Sequence, residues 1–96
     1  MKLCVDGVFY SREPLNFKKI LEGIVEILGE DVKVLSLEFP EIAAIVGDTY
    51  YYRCGFMLDK ELEEEIPEDE LKKIKEKIKK LFPEDTIIYT LNCEIL

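Results

Sequence analysis

Strand-like and helix-like segments alternate along this chain, and their order is what most constrains its fold. Residues 2–10 alternate apolar and polar side chains with the period of two that a β-strand requires. The same pattern recurs at residues 32–39, 49–58 and 86–95. Between these segments, residues 17–28 and 67–82 carry apolar side chains at helical spacing. The chain therefore reads β-α-β-β-α-β.

This order predicts an α+β fold of the ferredoxin-like type. Such a fold has a four-stranded antiparallel sheet with both helices on one face. Right-handed crossovers give the spatial strand order 4-1-3-2. Because 96 residues is the size of one domain, we expect residues 1–96 to form a single ferredoxin-like domain. The resemblance is one of topology, and this topology by itself implies no function.

The element boundaries follow from capping and turn residues. Asn16 is a suitable N-cap for the first helix, and Gly29 suits its C-terminal end. Pro40 interrupts the second strand because it has no N–H to donate. Residues 41–46 could then resume the strand after a bulge or form a helical turn. We favour the strand, because Gly47-Asp48 would then make a two-residue hairpin turn.

The composition narrows the classes of function. A formal charge of −8 repels nucleic acid phosphates. An excess of Lys over Arg and of Glu over Asp, with no Gln, is typical of proteins from thermophiles. Histidine is absent, which removes the commonest general base and metal ligand and disfavours an enzyme. No apolar run is long enough to span a membrane and no secretory signal is evident, so we expect a cytoplasmic protein.

The helix at residues 67–82 carries an unusual block of charge. Acidic residues dominate residues 59–70, and lysines dominate residues 71–80. This arrangement suits the helix dipole, so we interpret it as a solvated helix face. The expected i, i+4 ion pairs are Glu68 with Lys72, Asp69 with Lys73 and Glu76 with Lys80. A docking surface for a protein partner along this helix is the alternative.

The alternation within each strand assigns side chains to the two faces of the sheet. Those expected beneath the helices are Leu3, Val5, Phe9, Tyr50, Tyr52, Cys54, Phe56, Leu58, Ile87, Tyr89, Leu91 and Cys93. Those expected on the uncovered face are Cys4, Asp6, Val8, Tyr10, Ser36, Glu38, Tyr51, Arg53, Met57, Ile88, Thr90 and Asn92. Tyr50 and Tyr52 are thus predicted to be core aromatics, with Tyr51 pointing the other way.

The residues whose side chains are best suited to binding or catalysis lie on the uncovered face. The candidates for a ligand site or an interface are Asp6, Tyr10, Tyr51, Arg53 and Met57. Arg53 could hold a carboxylate or phosphate in two hydrogen bonds. We favour a cross-strand ion pair between Arg53 and Asp6. A subunit contact or a bound ligand at Arg53 are the alternatives.

The three cysteines are candidates for a metal or redox site. Strand direction brings Cys4, Cys54 and Cys93 toward one end of the sheet. The alternation of side chains, however, places Cys4 on the uncovered face and the other two beneath the helices. Cys54 and Cys93 should lie roughly 10 Å apart, too far for a disulfide. There is no Cys-x-x-Cys. We predict no metal and no cofactor, with two buried cysteines and one free thiol; zinc or redox chemistry, including a redox role for Cys4, is the alternative.

These observations favour a non-catalytic module that forms homo-oligomers, such as a homodimer, through the uncovered face or an edge strand. An apolar patch motivates this hypothesis, and its members are Val8, Tyr10, Val34, Tyr51, Met57 and Ile88. A small-molecule binding protein or enzyme that uses Asp6, Tyr51 and Arg53 is the alternative. RNA binding is weaker still, because the third strand lacks the basic, glycine-containing pattern of RNA-recognition modules.

Overall fold

The computed structural model describes residues 1–96 and contains four strands and two helices. The strands are β1 (Lys2–Ser11), β2 (Lys33–Val46), β3 (Thr49–Glu61) and β4 (Ile87–Ile95). The helices are α1 (Phe17–Leu28) and α2 (Glu68–Lys79). The predicted α+β class and the predicted order of elements are confirmed. Each helix has 12 residues, and neither is long and apolar enough to cross a membrane.

The strands form one antiparallel sheet with β1 and β3 at its centre. Its spatial order is β2-β3-β1-β4, which reads 4-1-3-2 from the β4 edge. β1 pairs with β3 from Lys2 opposite Glu61 to Ser11 opposite Tyr52. On its other side β1 pairs with β4, beginning with Leu3 opposite Ile95. β2 and β4 are therefore the two edge strands.

A single apolar core lies between the sheet and the helices. It draws on both helices and on alternate residues of the central strands. Its members are Leu3, Val5, Phe9, Phe17, Ile20, Ile24, Leu28, Cys54, Phe56, Leu58, Ile78, Phe82 and Leu91. The strand residues in this set were all predicted to lie beneath the helices. Phe9 is fully buried, and its ring stacks on Phe82 at 4.1 Å and on Phe56 at 5.6 Å between centroids.

The ends of α1 match the sequence prediction. The Asn16 side chain accepts a hydrogen bond from the backbone N–H of Lys19 at 3.3 Å, which makes it the N-cap. Gly29 has a φ of 104° and its N–H donates to the carbonyl of Val25 at 2.7 Å. Lys60 Nζ donates to the Leu28 carbonyl. A cation thus meets the negative end of the helix and ties it to β3.

The hairpin formed by β2 and β3 extends beyond the rest of the sheet. β1 stops at Ser11, opposite Tyr52, whereas β2 and β3 continue to a turn at Gly47-Asp48. Residues 41–46 are strand, as we favoured, and Gly47 has the positive φ, 61°, of a tight hairpin turn. We call residues 42–51 the arm. It gives the molecule a long axis of 49 Å against 23 and 20 Å for the others.

The predicted positions of Tyr50 and Tyr52 in the core are wrong. Tyr50 lies in the arm and is 49% exposed, and Tyr52 is only half-buried. The alternation of side chains along β3 correctly places both tyrosines on the same face of the sheet as Phe56. β1, however, ends at Ser11 opposite Tyr52, so no β1 residue lies beside Tyr50 and the core does not continue past Tyr52. Val34 is also misassigned, because it pairs with Leu58 and so faces the helix side of the sheet.

An irregularity in the pairing of β1 with β4 reverses the predicted faces of three β4 residues. The register shifts between Val8 and Phe9. Ile88 therefore lies opposite Phe9 and packs against the core, while Ile87 lies opposite Tyr10 on the uncovered face. Tyr89 is 69% exposed and contacts Tyr10 edge-to-face at 6.0 Å. One extra residue in a strand shifts the alternation for everything beyond it.

The charged face of α2 carries fewer ion pairs than predicted. None of the three i, i+4 pairs forms, and Lys79 pairs instead with Glu76 at 3.2 Å. These side chains are exposed, where rotamer entropy and solvent screening oppose each pair. The sequence spacing made the pairs sterically feasible but did not make them stable.

Replacing Phe9 with alanine should destabilise the protein by about 3–5 kcal/mol, because it removes a ring stacked between Phe56 and Phe82. Urea unfolding followed by circular dichroism measures this change. Tyr89→Ala is the control, and its exposed position predicts a loss below about 1 kcal/mol. Equal losses for the two variants would contradict the placement of Phe9 in the core.

Candidate functional site

The five candidate residues do not converge on one point of the uncovered face. Asp6 lies opposite Met57, and Tyr10 lies opposite Arg53. Tyr51 lies farther out in the arm, opposite Ala44 of β2. Arg53 and Met57 are four residues apart on one strand, which corresponds to about 13 Å. The face therefore offers three separate pairs and no pocket that the candidates share.

The predicted ion pair between Arg53 and Asp6 is wrong. Arg53 instead forms an ion pair with Glu38 on the edge strand. Asp6 accepts a hydrogen bond from Asn92 Nδ2 at 3.1 Å. Parity placed Asp6 and Arg53 on the same face, but the register between β1 and β3 separates them along the strand.

The surroundings of Arg53 make it a poor anion site. The hydrogen bond that Arg53 donates to Glu38 raises the pKa of the Arg53 guanidinium despite an opposing effect of desolvation, and Tyr10 raises this pKa further. Glu41 lies directly opposite Arg53 on β2. A shallow cleft of about 420 Å³ borders this group, lined by Leu37, Glu38, Phe39, Glu41, Ile42, Ala43 and Arg53. An anionic ligand would have to displace Glu38 and tolerate Glu41.

The cysteines occupy different levels of the sheet. Cys4 lies opposite Asp59 and Cys93 lies opposite Val5, near one end. Cys54 lies opposite Phe9, so the expectation that all three reach one end is wrong. All three are free thiols. Burial raises the pKa of Cys54 to about 11 and also raises the pKa of Cys93, which makes both weak nucleophiles at neutral pH.

The surface that the sequence analysis did not identify is the apolar arm. The large exposed side chains in and beside it are Phe39, Ile42, Ile45, Val46 and Tyr50. Ile42 pairs with Tyr52 and Ile45 pairs with Tyr50, so these four share the helix side of the hairpin. The lengths of the strand segments could have indicated this surface from the sequence. The segments that form β2 and β3 are longer than the first strand and must extend beyond it.

A groove on α1 borders the base of the arm. Its volume is about 440 Å³, and it is lined by Lys18, Leu21, Glu22, Val25 and Phe39. Phe39 reaches it by packing edge-to-face on Phe17, with centroids 5.4 Å apart. Leu21 and Val25 lie on the flank of α1 and remain partly exposed, whereas Ile20 and Ile24 are buried. The arm and the groove therefore form one continuous apolar surface.

The lysines of α2 form a second exposed feature. A depression of about 280 Å³ is lined by Lys72, Lys73, Glu76, Lys77 and Lys80. Lys79 and Glu76 form the only ion pair of this helix, so the four lysines that line the depression have no carboxylate partner. A protein partner at this helix stays a prediction.

Cys54 should resist alkylation by iodoacetamide at pH 8 in the folded protein, because a pKa of about 11 leaves about one thiol in a thousand ionised. The raised pKa also means that ionisation opposes folding, so stability should fall as the pH rises from 9.0 toward 11. Mass spectrometry of peptides, with urea-unfolded protein as the control, measures the reactivity. Rapid native labelling of Cys54 would contradict its burial.

Comparison with known proteins gives a clear relative. No family model matches the chain. The chain is 67% identical over 96 residues to the uncharacterized protein MJ0639 of Methanocaldococcus jannaschii, an alignment that covers 100% of this chain and 87% of that protein. This organism is a thermophilic archaeon, in agreement with the thermophile-like composition. The chain belongs to the same family as this archaeal protein.

Proposed function

We propose that this chain is a single ferredoxin-like, non-catalytic module that assembles as a homodimer through its apolar arm. The observation that carries this proposal is the exposure of Phe39, Ile42, Ile45, Val46 and Tyr50 on one projecting hairpin. The role is one of assembly, in which the dimer rather than the single chain is the working unit.

The size of the exposed surface supports association. Phe39, Ile42, Ile45 and Tyr50 share the helix side of the hairpin and offer on the order of 100 Å² of apolar area each, so this patch has roughly 400 Å². This is comparable to the largest apolar patch of a typical monomer, which is often an interaction site. Covering it removes apolar area from water at about 25 cal/mol per Å². A two-stranded hairpin is also marginally stable alone, so a covering partner would stabilise it.

The arm is a better interface than the uncovered face of the sheet. On that face Asp6 is hydrogen-bonded to Asn92, and Arg53 is paired with Glu38. These polar contacts are satisfied within one chain and would have to be desolvated in a subunit interface. Interface cores are depleted in such charged groups.

Pairing along the β2 edge is also disfavoured. Its register with β3 shifts at three places, between Val34 and Ser36, between Glu38 and Glu41, and between Ile42 and Ala44. Pro40 lies within the second shift. Bulges and proline are the devices by which edge strands avoid pairing with other chains. Side-chain packing therefore offers a better contact than extension of the sheet.

Small-molecule binding is the weaker alternative. Asp6, Tyr51 and Arg53 lie at separate positions along the sheet, and Asp6 and Arg53 already have partners. The chain also has no histidine to serve as a general base. Association through the arm needs no rearrangement of these groups.

Ile45→Lys should convert the dimer to a monomer, because it places a charge in the centre of the apolar arm. Sedimentation equilibrium over a hundredfold range of protein concentration measures the change, which we expect to weaken association by about 100-fold. Ile45 is exposed in the single chain, so its replacement should leave the fold intact, as circular dichroism can check.

Met57→Lys is the matched control. Met57 is also an exposed apolar residue of the hairpin, but it lies on the uncovered face opposite Asp6, away from the arm. It should leave the dimer unchanged. A monomeric wild-type protein at high concentration, or dissociation by Met57→Lys and not by Ile45→Lys, would refute the arm as the interface.

A further inference from the structure

We propose that the arm of each copy docks in the α1 groove of a second copy. Ile45 and Tyr50 of one chain would pack on Leu21 and Val25 of the other, and the contact would be reciprocal. This inference rests on the proposed function and adds to it the site that receives the arm.

The groove has the chemistry of a receptor for apolar side chains. Its floor is formed by Leu21 and Val25, and Phe39 forms one wall. Lys18 and Glu22 complete it and can present their aliphatic stems while their charged ends reach water. The apolar stripe of α1 is wider than the part that the sheet covers. Leu21 and Val25 on this flank remain partly exposed.

The arm presents matching side chains on the correct side. Its helix side carries Ile42, Ile45 and Tyr50: Ile45 pairs with Tyr50, and Ile42 pairs with Tyr52 at the base of the arm. Phe39 stands on the same side, since it contacts Phe17 of α1. Arm and groove thus face the same direction from one continuous surface. A two-fold axis across that surface brings each arm over the other groove.

The lengths of the two elements agree. The arm runs from Ile42 to the turn at Gly47, which is about 16 Å at the rise of a strand. α1 has 12 residues, which is about 18 Å at the rise of a helix. An arm that begins beside Phe39 can therefore lie along most of a partner helix.

The tip of the arm and the groove carry opposite charges. Asp48 lies at the tip of the arm and is exposed, and Lys18 lies at the groove. Neither residue has an ion-pair partner within its own chain. Asp48 is also the one charged residue of the arm. Docking can place it near a cation, which favours the correct orientation more than it adds affinity.

The available area is close to what a stable dimer needs. On the helix side, Phe39, Ile42, Ile45 and Tyr50 offer on the order of 100 Å² each, and the partly exposed Leu21 and Val25 together add about as much as one more, which gives roughly 500 Å² of apolar area per chain. A standard interface buries about 800 Å² per partner, of which a little over half is apolar. A closed two-fold arrangement uses all of this surface and leaves none to extend the assembly.

Two substitutions that introduce opposite charges on the two sides of the contact test the docking of the arm in the groove. Val25→Lys should weaken the dimer about 100-fold, and Ile45→Glu should do the same, because each buries a charge against an apolar partner. The double variant should regain at least tenfold of the lost affinity, since the two new charges then meet across the interface. Glu26→Lys, which adds positive charge to α1 outside the groove, is the control and should not weaken the dimer.

Hydrogen exchange of the wild-type protein gives a readout that does not depend on any variant folding. Raising the protein concentration through the dimerisation range should slow the exchange of backbone amide hydrogens in two regions together. Mass spectrometry should detect this in the peptides that cover the arm and in the peptide that covers α1. Dissociation by Ile45→Lys with an unchanged dimer for Val25→Lys would overturn the groove as the receptor and leave the arm interface intact. A groove filled by a different molecule would give that same result. A monomeric wild-type protein would overturn both proposals.

Discussion

The stack of Phe9 between Phe56 and Phe82 is the contact on which the rest of this structure depends. It joins β1, β3 and the segment after α2 in one place. Gly7 makes room for it, because a Cβ at that position would lie 2.5 Å from the Phe9 ring. The alignment of the central strands and the position of α2 over them are thus fixed by the same ring. Packing of this density tolerates little change in volume.

The extent of this core also decides which apolar residues remain exposed. β1 ends at Ser11, and no strand or helix lies over the hairpin beyond that point. Ile45 and Tyr50 continue the apolar alternation that buries Phe56 and Leu58, yet they lie in the arm. One sequence pattern therefore supplies a core at one end of the hairpin and an apolar surface at the other. The difference between them is the length of the neighbouring strand.

The distribution of charge also makes the arm the most suitable part of the hairpin for contact with a second copy. With a formal charge of −8, two copies repel each other at long range. The arm carries only Asp48, so it is the part of the hairpin where two acidic chains can approach at least cost. Ion pairs elsewhere, such as that between Lys60 and Asp31 at 3.3 Å, tie surface elements of one chain together. In the proposed dimer, apolar attraction at the arm acts where electrostatic repulsion between the two chains is weakest.

The sequence by itself determined the order of the elements, the ends of α1 and the faces of most central-strand residues. These features depend on local spacing and on caps such as Asn16 and Gly29, which act within a few residues. Only the tertiary structure decided that Arg53 pairs with Glu38, that Ile87 and Tyr89 lie on the uncovered face and that Tyr50 is exposed. Each of these facts depends on register, on a bulge or on where a neighbouring strand ends. Such properties belong to pairs of strands distant in sequence, so alternation within one strand cannot specify them.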